Sequence, residues 1–292
     1  YLSVFSISVV ALSFVACSSD KEENIISQEE KVPVSFNLTS VTRAGMNYTP
    51  GTYYANLFWE QYDAIGLSSD VKDHADPIEV SISEEQEGTQ EATASGMVDY
   101  TPEGYYCVYP SDIIQKKVDK NTAIVRLPYN QYVPSGGMVS REAFLQVGYA
   151  KKTSNYISME TPCSFLVFNT GEYSNISGVV VTAKDNQDED YSIAGAISVS
   201  KTETGSISLG SGNTIEGYES YAWVECFYED GLFPAKKDFA IAIRPGKPAT
   251  LQVELYFDNA SEPGKTLYMK KMTDGGNLEF IRGQYHKFPA FQ

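Results

Sequence analysis

The chain has 292 residues, and 22 Lys and Arg against 38 Asp and Glu give it a formal net charge of -16. Phosphate binding needs clustered Lys and Arg side chains, so this charge argues against a nucleic-acid partner. Two histidines, His74 and His286, cannot make a three-His zinc site. They also give little support for a catalytic site in which a histidine activates a nucleophile. We therefore expect no catalysis and no bound metal or cofactor.

The first thirty residues have the pattern of an export signal followed by a tether. Residues 1–16 are uncharged and apolar, which predicts the h-region of a signal peptide truncated at its start; they are too few for a membrane span of about 20 residues. The segment ends in Phe14-Val15-Ala16-Cys17, which resembles a bacterial lipobox. A cysteine directly at the small-residue cleavage position favours lipidation of Cys17 over an incidental cysteine. Residues 17–30 are then a lipidated, acidic tether.

Short strands follow one another from Lys31 onward. Residues 31–38 alternate, with Val32, Val34, Phe36 and Leu38 on one face, which predicts a half-buried strand, and Pro33 places that strand at a sheet edge. Similar runs predict strands over 57–67, 78–82, 105–109, 123–127, 144–149, 165–168, 178–183, 193–199, 221–228, 239–243, 251–257, 266–272 and 278–288. Gly-Gly and Pro-Gly turns separate them, and no helix is predicted. The sequence predicts an all-β fold.

The polar run at residues 151–155 has no periodic apolar face and divides the mature chain into two parts of ordinary domain size. We therefore predict an N-terminal β-sandwich over 31–152 and a C-terminal β-sandwich over 153–292.

Three cysteines remain if Cys17 is acylated. Cys107, Cys163 and Cys226 each lie in an apolar run, where a thiol behaves as a small buried hydrophobe. An odd count without CxxC spacing predicts neither a disulfide framework nor a zinc site, and one bridge among the three stays open.

A set of short motifs appears in a fixed order along the chain. In the first half they are residues 41–45 (VTRAG), 59–67 (WEQYDAIGL) and 105–110 (YYCVYP), and in the second half 192–195 (SIAG) and 280–288 (FIRGQYHKF). Together with the lipobox, this order resembles the fimbrillin-like family of Bacteroidetes, the type V pilins and their relatives. The resemblance implies two transthyretin-like antiparallel β-sandwich domains in tandem on a lipidated precursor.

The same resemblance implies a mechanism of assembly. In such pilins an arginine-specific protease cuts after an Arg that follows the first strand, that strand leaves, and a strand from another subunit replaces it. The matching cleavage site here lies between Arg43 and Ala44, and the displaced strand carries Val32, Val34, Phe36 and Leu38. The alternative is that Arg43 is an exposed charge that keeps an edge strand from pairing.

The resemblance therefore implies a pilus subunit or an accessory tip or anchor component that acts in adhesion. It would be an outer membrane lipoprotein at the cell surface, with other pilus subunits, the membrane and a host protein or glycan as partners. The alternative is a surface glycan-binding lipoprotein that does not polymerise. Its aromatic candidates, which packing within a sheet also explains, are Tyr53, Tyr54, Trp59, Tyr105, Tyr106, Tyr129, Tyr132, Tyr218, Tyr221 and Trp223.

Overall fold

A computed structural model describes residues 31–40, 59, 63–69, 76–81, 84–85, 89, 91–101, 103–119, 121–135, 137–202, 206–210, 214–258, 266–273 and 278–292. Every regular element within these residues is a β-strand, so the predicted all-β fold is confirmed. The strands are β1 (Lys31–Ser40), β2 (Ala64–Ser69), β3 (Asp76–Ser81), β4 (Glu91–Asp99), β5 (Gly104–Tyr109), β6 (Ile114–Asp119), β7 (Thr122–Leu127), β8 (Asn130–Val133), β9 (Gln146–Lys151), β10 (Tyr156–Met159), β11 (Ser164–Asn169), β12 (Ile176–Lys184), β13 (Ala194–Lys201), β14 (Ile207–Leu209), β15 (Ser220–Tyr221), β16 (Trp223–Tyr228), β17 (Asp238–Ile243), β18 (Thr250–Phe257), β19 (Thr266–Thr273) and β20 (Tyr285–Lys287). None of these described residues forms a helix long and apolar enough to cross a membrane.

The first strand belongs to a seven-stranded sheet in the order β10-β1-β4-β3-β2-β5-β9. Its neighbouring strands are antiparallel except β1 and β10, which run parallel. The two ends of the sheet approach each other, because Val147 and Glu160 exchange backbone hydrogen bonds of 2.8 and 2.9 Å. The sheet therefore wraps around the hydrophobic cluster that we call the first core, to which Phe36, Leu67 and Val108 belong.

Two further sheets enclose the rest of the molecule. One is a five-stranded sheet with the order β14-β13-β7-β6, in which β15 also pairs with β13, and it contributes Val125 and Ile197 to the first core. The five-stranded order β19-β18-β12-β16-β8 contributes Val181, Val224 and Val253 to a separate cluster, the second core. In β12 and β18 buried and partly buried residues alternate, the period expected when only one face of a sheet is covered.

A three-stranded sheet, β17-β11-β20, lies between the two cores. Successive residues of a strand point to opposite faces, and in β11 Phe165 and Val167 enter the first core while Leu166 and Phe168 enter the second. The near-continuous apolar run of β11 is explained by this burial on both sides.

Strands from both sides of residue 152 pair with each other. β7 pairs with β13, β8 with β16, and β1 with β10, so a cut at residue 152 divides three hydrogen-bonded ladders. The polar run at 151–155 contains a tight turn between β9 and β10, in which the Ser154 N–H donates to the Lys151 carbonyl at 2.8 Å. The tandem transthyretin-like division into 31–152 and 153–292 stays a prediction of the sequence.

Candidate functional site

The first strand is held along one edge over nearly its whole length and along the other edge only near its end. β1 pairs antiparallel with β4 through nine residue pairs, from Lys31 opposite Asp99 to Thr39 opposite Glu91. On the opposite edge, β10 pairs only with residues 37–40. Among the described residues no strand covers the outer edge of residues 31–36, and Pro33 lies in this open half, where an edge tolerates its missing N–H.

The side chains of β1 divide between solvent and the first core. Phe36 and Leu38 are 3% and 1% exposed, and the partly buried Val32 and Val34 pack against the same core. The Phe36 ring meets the Tyr105 ring edge to face at 6.0 Å between centroids. The four residues named from the sequence as the face of a displaced strand therefore share one side of β1, and their displacement stays a prediction.

Small residues of β4 lie beside the large apolar residues of β1 within the sheet. Those on the core-facing side are Ala92, Ala94 and Gly96, opposite Leu38, Phe36 and Val34. A Cβ atom on Gly96 would lie only 2.8 Å from Cγ2 of Ile78, so glycine here lets β3 and β4 pack closely. Ala92, Ala94 and Gly96 thus lie beside larger apolar side chains, those of β1 and, at Gly96, that of Ile78.

Charges fix the beginning of the strand. The Lys31 ammonium lies 3.3 Å from a carboxylate oxygen of Asp76 and 3.8 Å from one of Asp99. The side chain of Asp99 is only 2% exposed, and Asp76 also accepts a hydrogen bond from the Asp99 N–H at 3.2 Å. Removing Lys31 would leave two neighbouring carboxylates without this cation, so the site favours a strand that brings a positive charge to this end.

A groove of about 330 Å³ runs beside the open half of β1. Its walls include Val32, Val34 and Tyr100, and the Lys152 ammonium closes one side by donating to the Tyr100 hydroxyl at 2.7 Å. An extended segment can approach the unpaired edge of β1 through this groove.

The predicted processing residues Cys17, Arg43 and Ala44 lie outside the described residues, so lipidation and cleavage stay predictions. Cys107, Cys163 and Cys226 are buried and form no disulfide, which settles the bridge that the sequence left open. No group of three His, Cys, Asp or Glu side chains within the described ranges could hold a metal ion.

The aromatic residues named as sugar-stacking candidates differ in exposure, and Tyr129, Tyr218 and Tyr221 are partly buried. Trp59, Tyr105 and Tyr106 are at most 3% exposed, so they pack in the first core and present no free ring face. Tyr132 and Trp223 are 52% and 38% exposed, on neighbouring strands β8 and β16. Tyr53 and Tyr54 lie outside the described residues.

No protein-family model matches the chain, and no curated protein matches it. Among solved structures, a proposed cell adhesion protein of Bacteroides uniformis is 12% identical, with a TM-score of 0.43 over 87% of this chain and 90% of its own. One from Bacteroides ovatus is 10% identical, with a TM-score of 0.42 and coverage of 89% and 91%. One from Bacteroides fragilis is 10% identical, with a TM-score of 0.43 and coverage of 87% and 91%. Similarity at this level assigns neither family nor function.

Proposed function

We propose that this protein is a fimbrillin-like surface lipoprotein, a pilus subunit or an accessory tip or anchor component, that acts in cell adhesion. It assembles by strand exchange after its first strand is removed. The observation that carries this proposal is the position of β1. Its side chains complete the first core although, among the strands that the structure describes, only β4 and the four-residue β10 hold its backbone in the sheet. The proposal includes no catalytic role.

The burial of β1 sets the energy scale of the exchange. Full burial of an aliphatic or aromatic side chain is worth about 1.5–3 kcal/mol, so Phe36 and Leu38 together contribute about 3–6 kcal/mol, and the partly buried Val32 and Val34 add to this. A whole domain is stable by only about 5–15 kcal/mol. A chain that loses β1 is therefore unstable until another strand pairs with the free edge of β4, and this drives assembly by β-strand addition.

The geometry also restricts the incoming strand. Large apolar side chains at alternate positions are needed to complete the first core beside Ala92 and Ala94. A Lys or Arg is needed beside Asp76 and Asp99 to replace the Lys31 ammonium. A donor strand is thus expected to carry an alternating apolar face with a basic residue at one end.

A disulfide across β1 and β4 tests whether the strand must leave. Ser35 and Ser95 are exposed and directly opposite each other, and antiparallel partners have Cα atoms about 4.5–5.5 Å apart, within the range of about 4.4–6.8 Å that a disulfide spans. The double variant Ser35→Cys/Ser95→Cys is cut with an arginine-specific protease, and polymer growth is followed by light scattering and electron microscopy. We expect growth only after reduction.

Two controls make the result specific. Ser35→Cys alone is expected to polymerise with or without reductant, and Arg43→Lys is expected to resist the protease and stay monomeric. Polymerisation of the oxidised double variant at the rate of the reduced one would contradict strand exchange.

N-terminal sequencing of protein taken from the cell surface supplies the second test, because a processed subunit begins at Ala44 and a tethered, unprocessed one at Cys17. Filaments of subunits that still begin at Cys17 would also contradict the proposal.

A further inference from the structure

A cavity of about 650 Å³ opens where β7 leads into β8. Its volume lies within the range of about 300–1,000 Å³ that is typical of small-molecule sites. The lining residues used below are Asp112, Arg126, Tyr129, Asn130, Tyr132 and Glu142. None of them belongs to β1 or its groove, so the cavity is separate from the strand-exchange site.

Two groups of aromatic rings adjoin this cavity. In the first, the Tyr129 ring centroid lies 4.4 Å from that of Tyr221, which lies 5.4 Å from that of Trp223. In the second, Tyr132 stacks on Phe227 at 5.5 Å between ring centroids, with an interplanar angle of 27°. Tyr129 and Tyr132 line the cavity themselves, so both aromatic groups are continuous with it.

Tyr132 and Trp223 are exposed, whereas Tyr129, Tyr221 and Phe227 are partly buried, and Tyr129 and Tyr221 pack against the second core. The exposed rings face solvent because of the period of β16. Val224 and Cys226 point into the second core, and the alternate residues Trp223 and Phe227 point outward. Tyr132 is opposite Phe227 in the parallel ladder, which places both on the outer face. Packing against the second core accounts in part for Tyr129 and Tyr221 but not for the exposed rings of Tyr132 and Trp223. Exposed aromatic surface beside a cavity is typical of a binding site.

The polar groups of the cavity include both donors and acceptors. The Arg126 guanidinium is exposed and makes no ion pair within the described part of the chain, and Asn130 adds an amide. Asp112 and Glu142 are exposed and contribute carboxylate oxygens. Two carboxylates beside one unpaired cation, on a chain with a formal net charge of -16, disfavour an anionic ligand. Neutral hydroxyl groups, which both donate and accept, match this set.

We propose that this cavity and its two aromatic groups bind a neutral oligosaccharide. The C–H faces of the sugar rings stack on Tyr132 and on the cluster of Tyr129, Tyr221 and Trp223, and the hydroxyls bond to the cavity side chains. Two separate stacking groups, one at Tyr132 and one at Tyr129, Tyr221 and Trp223, favour a ligand with more than one sugar ring over a monosaccharide.

Affinity electrophoresis tests the site on the intact, uncut chain, so the result does not depend on strand exchange. The probes are gels containing mannan, xyloglucan or amylopectin as neutral polysaccharides and alginate as an acidic one. We expect at least one neutral polysaccharide to retard the wild-type protein, and Tyr132→Ala and Trp223→Ala each to weaken the interaction at least tenfold. Because both side chains are exposed, the melting temperature is expected to change by no more than a few degrees.

Tyr156→Ala is the matched control. Tyr156 is 46% exposed on β10, which like β8 has four residues, but it lies outside the cavity. We expect it to bind like the wild type. The proposal is overturned if no neutral polysaccharide retards the protein, if alginate retards it more strongly than every neutral one, or if Tyr156→Ala weakens binding as much as Tyr132→Ala.

Discussion

Asp63 is a buried carboxylate, 1% exposed, in a small polar network at the wall of the cavity. It forms an ion pair with Arg141 and accepts a hydrogen bond from the Tyr109 hydroxyl at 3.1 Å, and Arg141 Nε donates to the same hydroxyl at 2.8 Å. Removal of one partner of a buried polar group costs about 1–3 kcal/mol, since the desolvated group loses its compensation. We expect Arg141→Met to lower the free energy of unfolding by this amount in urea denaturation.

The control for Arg141→Met is Lys247→Met. Lys247 and Glu279 also form an ion pair, at 3.1 Å, but both side chains are at least half exposed. Exposed pairs are worth about 0–1 kcal/mol, so this variant is expected to change stability little. An equal decrease in the free energy of unfolding in the two variants would contradict the view that the burial of Asp63 makes the loss of Arg141 costly.

His286 makes stability depend on pH. Burial against Phe280, at 4.9 Å between ring centroids, lowers the pKa of His286 below its ordinary value of 6.5, since a buried imidazole resists protonation. As the pH falls below about 6.5, the unfolded chain takes up this proton before the folded one does, so the folded state loses stability until the lowered pKa is reached. We expect His286→Gln to lose less stability than the wild type between pH 7 and pH 5 in urea denaturation. If the stability of His286→Gln depended on pH as that of the wild type does, His286 would not be the group responsible.

At the scale of the strand, the sequence predicted β1 but not β4, the strand with which it pairs. β1 alternates large apolar and polar residues, and this is the strongest local signal of a half-buried strand. β4 has the same alternation of burial, but its inward residues include Ala92, Ala94 and Gly96, which have low β propensity. These small residues are suited to the sheet because they pack beside β1 and Ile78, and β1 is distant from them in sequence. The local pattern of the sequence could thus predict β1, but it could not predict β4, the strand that pairs with it.

Leu38 measures how strongly β1 is held. It is 1% exposed, and replacement of such a leucine by alanine usually costs about 2–5 kcal/mol through lost burial and the cavity left behind. We expect Leu38→Ala to lower the free energy of unfolding within this range, and Val32→Ala to lower it less because Val32 is only partly buried. Ser35→Ala, on the exposed face, is the control, with an expected change below about 0.5 kcal/mol. Equal effects of Leu38→Ala and Ser35→Ala in urea denaturation would contradict the packing described here.

At the scale of the whole molecule, the sheet shared by the two cores links their stabilities. The polar run at 151–155 is typical of a linker, but the pairing of β7 with β13 brings together residues some seventy positions apart, which no local pattern can indicate. Phe165 and Phe168 lie in one strand and face different cores. Damage to either core therefore disturbs the strand that serves both.

We expect the protein to unfold in a single calorimetric transition. Phe165→Ala and Phe168→Ala are each expected to cost about 3–5 kcal/mol and to shift that same transition. Phe288→Ala, which removes a ring stacked at 5.0 Å on Phe168 and only partly buried, serves as a milder comparison on the second-core side. Two transitions, each shifted by only one of the two variants, would show instead that the cores unfold independently.

The three buried cysteines make this protein its own chemical reporter. Cys107 and Cys163 lie in the first core and Cys226 in the second, and burial raises the pKa of each thiol, so none forms the reactive thiolate in the folded state. Alkylation then proceeds only when the surrounding core opens. After departure of the first strand, labelling kinetics resolved by mass spectrometry would reveal whether Cys107 reacts before Cys226, and thus how far the opening spreads, with no probe added to the chain.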